Sequence, residues 1–105
     1  MSLPETLRDP IATARAMIGR AHAFDVDLLT GNAKAMLVNA RAFVVEDASI
    51  GAAFDEAGQR IAALRETGTL EDARQSALQA INTLEQSLAQ ARPNAHAKAL
   101  GVDWF

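Results

Sequence analysis

The sequence predicts an all-α fold: an antiparallel up-down four-helix bundle with a short C-terminal helix and an aromatic tail. Three observations carry this expectation. Apolar residues recur at three- and four-residue steps along most of the chain, which is the helical period. Strand signals are missing, since no run alternates with period two, tyrosine is absent and β-branched residues are scattered. Capping residues, glycines and prolines then divide the pattern into segments whose short connections favour antiparallel neighbours. All 105 residues are read as one domain, with residues 1–9 as an N-terminal extension and 94–105 as a short helix and tail.

Asp9-Pro10 places a capping acceptor before a proline at a first helical position, where the missing N–H does no harm. Ile11, Ala14, Ile18, Ala21, Phe24 or Asp25, and Leu28 continue that helix, and Gly31 is its expected C-terminal cap. Asn32 is then expected to cap a second helix with Met36, Leu37, Ala40, Phe43 and Val44 on its apolar face. Glu46-Asp47 would oppose the dipole at that helix's C-terminus, a conflict eased if Asp47 or Ser49 already caps the next helix. Ile50, Phe54, Ala57, Ile61 and Leu64 form the third stripe, ended by Gly68. Within it, Glu56 and Arg60 have the spacing of a surface ion pair.

Thr69-Leu70-Glu71-Asp72 resembles a capping box for the fourth helix. There Leu70, Ala77, Leu84 and Ala91 fall seven apart, with Arg74, Ile81 and Leu88 between them, so the seam is apolar except near its start. Pro93 stops it. A short helix from Asn94 to Leu100, capped by Gly101, precedes the tail Val102-Asp103-Trp104-Phe105.

Composition bounds the function. Of the apolar residues 23 are alanines, which favour helix but bury little area, so the core rests on few large side chains. Thirteen acids against ten lysines and arginines supply no drive towards phosphate backbones or anionic lipid. The second and third helices could mimic a helix-turn-helix, but Asp47, Asp55 and Glu56 on the reading helix would repel DNA. No nucleic-acid or membrane partner is therefore expected. Without cysteine there is no disulfide, thiolate catalysis or sulfur-ligated metal. The start lacks the basic and apolar regions of a signal peptide, so the chain is read as cytoplasmic. Eight arginines to two lysines, with the alanine excess, are compositional marks of a high-GC bacterial genome.

Chemistry has few places to reside. Neither His22 nor His96 has a glutamate three residues before it, and two-histidine zinc spacing is absent, so no metal or cofactor is expected. Acid doublets such as Asp55/Glu56 point about 100° apart on a helix and do not share a site. There is no nucleophile elbow or phosphate-cradling glycine loop, and no enzymatic activity is expected. The expected function is a non-catalytic helical interaction protein, such as an adaptor, chaperone or accessory subunit, self-associating as a dimer. Its candidate contact residues are Leu70, Ile81, Leu84 and Leu88 on the fourth-helix seam, with Trp104 and Phe105 in the tail. The alternative is a histidine phosphotransfer-like signalling module using His22, although Asp25 nearby would oppose a phosphoryl group.

Overall fold

The structure, a computed structural model, describes residues 3–22, 24–66 and 69–101. Helix α1 (Glu5–Arg20) buries Leu7, Ile11, Ala14 and Ile18, a stripe at steps of four, three and four. It begins earlier than Asp9-Pro10, so residues 5–9 are helix rather than an extension. Pro4 leads in with φ −63° and ψ 154°, and its carbonyl accepts from the Leu7 and Arg8 N–H groups. Pro10 lies inside the helix at the expense of one backbone hydrogen bond. Full burial of Leu7, contributing about 1.5–3 kcal/mol, favours the extra turn.

The expected single helix from Pro10 to Gly31 is instead two, the first ending at Arg20 and the second starting at Val26, which corrects the first boundary. Ala21 turns into extended backbone, and the Arg74 guanidinium donates to the carbonyls of Ile18 and Ala21. This cation caps the C-terminus of α1 in place of a glycine, where the helix dipole favours positive charge. It also explains the polar interruption of the fourth-helix seam. Helix α2 (Val26–Arg41) follows, with Gly31 and Asn32 inside it rather than between two helices. The three-four rhythm runs unbroken through the turn, so periodicity alone could not mark it.

Helix α3 (Ala48–Ala62) begins as expected, the Asp47 carboxylate accepting from the Ile50 N–H at 2.8 Å. A 3-10 turn (Ala63–Arg65) ends it. Helix α4 (Leu70–Leu88) has Thr69 at its N-cap position and Glu71 and Asp72 in its first turn. It stops short of Ala91, as the N–H groups of Gln90 and Ala91 bond only three residues back. Helix α5 (Ala95–Ala99) is capped by Asn94 and followed by Gly101 at φ 67°, both as expected. The expected stop at Gly68 and the tail Val102–Phe105 lie outside the described residues.

Polar ties fix the antiparallel order. Arg15 on α1 bonds Glu85 and Asn82 on α4, and Arg74 near the start of α4 reaches the end of α1. Arg65 after α3 pairs with Asp27 at the start of α2, while Arg41 at the end of α2 pairs with Asp55 in α3. At the same end as Arg41, Val45 and Asn94 donate backbone N–H groups to Arg92 and Phe43. The helices form a ring in chain order, with α4 closing against α1. Their interior holds Leu7, Ile11, Ile18, Phe54, Ile61, Ile81, Leu84 and Leu88, spaced by alanines at 14, 33, 40, 57 and 77 that let the backbones approach.

Candidate functional site

The fourth-helix residues expected to mediate self-association are core. Ile81 and Leu84 are fully buried, Leu88 nearly so, and Leu70 is half-buried against the same cluster. The third-helix stripe is buried as well. An apolar three-four seam needs a helical neighbour, and here α1 and α3 of the same chain supply it. Ile81, Leu84 and Leu88 therefore offer no surface to a second molecule, and Leu70 offers only part of its side chain. Trp104 and Phe105 lie outside the described residues.

The apolar surface is on α2. Of the large apolar side chains exposed among the described residues, Phe24 (98%), Leu28 (65%) and Val38 (65%) belong to this helix or its lead-in turn, and Val45 follows it. Gly31, Ala35 and Ala42, also exposed, fill the intervals. The resulting series 24, 28, 31, 35, 38, 42, 45 steps by four and three throughout. Its centre lies about 180° around the helix from the stripe of Leu29, Ala33, Leu37 and Ala40 that faces the core. Thus α2 has two apolar faces. One is satisfied inside the bundle and the other meets water.

Polar residues frame this outer ridge at heptad spacing, Asp27, Lys34 and Arg41 on one flank and Asp25, Asn32 and Asn39 on the other. The flanks are anchored. Asp27 accepts from Arg65 at 2.9 Å, and Arg41 grips Glu46 through two nitrogens at 2.6 and 2.7 Å while a third meets Asp55 at 2.9 Å. The Arg41 guanidinium also lies 5.4 Å over the Phe54 ring. The forked bond to Arg41 holds the Glu46 carboxyl below its ordinary range, and Glu46 and Asp55 raise Arg41 above its own. This clamp resolves the charge conflict expected at Glu46, because its negative charge is paired with the last arginine of α2.

His22 stands in the α1–α2 turn rather than on a helix, with its side chain 60% exposed. Its Nε2 lies 3.4 Å from Asp25 Oδ2, and the Phe24 ring meets it edge-on at 6.1 Å. A carboxylate that close repels a phosphoryl group rather than stabilising one. His96 stacks on Phe43 at 5.5 Å between centroids, at the far end of the bundle. Between α3 and α4, an open groove of about 210 Å³ is lined by Glu56, Arg60, Ser76, Gln79 and Thr83. Glu56 and Arg60 are tied to each other there at 2.6 Å, the pair expected from their spacing. Among the described residues no three His, Asp or Glu side chains gather at metal-binding distance, and no helix is long and apolar enough to cross a membrane.

The signal for the α2 ridge was present in the sequence but hidden. Phe24 and Leu28 are absorbed by the expected first helix, and Gly31 reads as a cap. Only once α2 starts at Val26 do Leu28 and Gly31 share one outward face with Ala35 and Val38, with Phe24 in the turn before them. Compared with protein-family models, with curated proteins and with solved structures, the chain matches none.

Proposed function

We propose that this chain is a non-catalytic helical interaction module whose docking surface is the outer face of α2. The carrying observation is the ridge of Leu28 and Val38, large apolar side chains exposed on one face of a helix whose other face is already buried, with Phe24 exposed in the turn that leads into it. Scattered exposed apolar residues are ordinary, whereas a contiguous ridge with a polar rim is the anatomy of a contact surface. Its shape suits an apolar helix laid along α2, read through positions three and four apart. A dimeric, cytoplasmic protein is part of the same reading.

Photo-crosslinking tests it. A photoreactive residue in place of Lys34, beside the ridge, should yield adducts that one in place of Gln79, in the α3–α4 groove, does not. Leu28→Asp with Val38→Asp should abolish those adducts with the circular dichroism spectrum unchanged. Equal yields from both positions would sink the proposal. The competing phosphotransfer reading has the exposure of His22 in its favour and the adjacent Asp25 against it. Incubation with a phosphoramidate should leave His22 unlabelled, and stoichiometric phosphohistidine would reverse that preference.

A further inference from the structure

We infer that the occupant of the α2 face is a second copy of this chain, packed antiparallel about a two-fold axis passing between Gly31 and Ala35. This rests on the docking face proposed above and goes further by naming the partner and the register. The bulk along the ridge is unevenly distributed, with Phe24 and Leu28 at one end, Gly31 and Ala35 in the middle, and Val38 and Ala42 at the other. Reversing a second ridge on the first sets Phe24 over Ala42, Leu28 over Val38 and Gly31 over Ala35. Phe24 then meets the small Ala42, Leu28 meets Val38, and the backbones approach at the axis where Gly31 and Ala35 are smallest. A parallel pair would stack Phe24 on Phe24 and leave a gap at Gly31.

The flanking charge agrees with the reversed order. In a reversed pair, residues on like flanks face each other, so Asp27 of each copy lies across from Arg41 of the other, whose guanidinium is already bonded to Glu46 and Asp55 and keeps two N–H groups for a further acceptor. Asp27 uses only Oδ1 in its bond to Arg65, which leaves its second oxygen for this contact. Lys34 meets its own copy near the axis, the one like-charge approach on this flank. A parallel pair would instead set this flank against the flank of Asp25, Asn32 and Asn39, and so would lose the approach of Asp27 to Arg41. On the other flank, Asp25 faces the neutral Asn39 and Asn32 faces itself, so no further repulsion arises.

Area sets the strength. Helix α2, which carries Leu28, Gly31, Ala35 and Val38, is about 24 Å long, with Phe24 and Ala42 just beyond its two ends. Two such ridges bury on the order of 1,000 Å², at the lower bound for a specific interface. The dimer should therefore be reversible and concentration-dependent. A two-fold contact also closes on itself, since each copy spends its ridge on the other and no array grows.

The absence of cysteine makes the register directly testable. Positions 28 and 38 of one chain are about 15 Å apart along α2, too far for an internal disulfide. Under mild oxidation the full chain carrying Leu28→Cys with Val38→Cys should form covalent dimer at least tenfold more than either single variant. Sedimentation of the unmodified chain should show monomer passing to dimer with concentration. Leu28→Cys alone crosslinking as well as the double variant would overturn the antiparallel register. A strict monomer at millimolar concentration would overturn the second-copy assignment. In either case, adducts formed at position 34 with another protein would leave the docking face standing, and their absence would remove that as well.

Discussion

Gly51 and Gly58 lie seven residues apart in α3, yet an added methyl group would meet different surroundings at the two. At Gly58 nothing stands within 4 Å of the new Cβ, so Gly58→Ala trades backbone entropy for a better helix former. The gain should be about 0.5–1 kcal/mol in denaturant unfolding. At Gly51 the Cβ would sit 2.9 Å from Glu46 Oε2, and that carboxylate is pinned by Arg41 rather than free to swing. Gly51→Ala should therefore gain nothing or lose stability, and equal gains at both sites would show the clamp to be slack. Asn94 shows the same economy at one residue. Its Oδ1 caps α5 through the Ala97 N–H, while its Nδ2 donates to the carbonyls of Ala42 and Val44. The cap was legible in the sequence, because asparagine before a short helical run is a local signal. The second bond was not, because it joins segments about fifty residues apart.

At the scale of elements, the α2–α3 connection is held by the Arg41, Glu46 and Asp55 clamp, and its pH dependence has a definite sign. The folded Glu46 carboxyl titrates below its ordinary value because Arg41 binds its charged form. Its contribution is therefore complete above the unfolded carboxyl's pKa, about 4.3, and is lost as pH falls through the lower folded value. Glu46→Gln should lower the thermal midpoint at neutral pH and flatten its fall between about pH 5 and 3. An acid slope identical to the parent's would show that Glu46 does not couple to folding. Most element identities were readable from the three-four periodicity of buried residues such as Ile50, Phe54, Ala57 and Ile61. The first boundary was not, because α1 ends on a cation borrowed from α4 rather than on a local stop. That displaced boundary also concealed the site, since the outer ridge exists only if Phe24 and Leu28 belong with α2.

At the scale of the whole molecule, leucines divide into those that hold the bundle and those that it displays. Leu84 is fully buried where α1 and α3 meet α4, and Leu28 is mostly exposed on the opposite side of α2 from the core. Alanine supplies many of the core positions, among them Ala14, Ala33, Ala40, Ala57 and Ala77, so each large side chain carries a large share of the burial. Leu84→Ala should cost about 2–5 kcal/mol, through lost transfer energy and a cavity that rigid neighbours cannot fill. Against a typical total of about 5–15 kcal/mol, that brings the bundle near its unfolding threshold at physiological temperature. Leu28→Ala should leave the unfolding free energy of dilute protein within about 0.5 kcal/mol of the parent. Its effect should appear only with concentration, because binding that favours the folded state raises the thermal midpoint by mass action. The parent's midpoint should therefore climb as protein is concentrated, that of Leu28→Ala should climb less, and Leu84→Ala should be low at every concentration. A concentration-independent midpoint for the parent would mean that the exposed ridge binds no second copy. Equal losses from the two leucines in dilute solution would mean that α2 packs through both its faces within one chain.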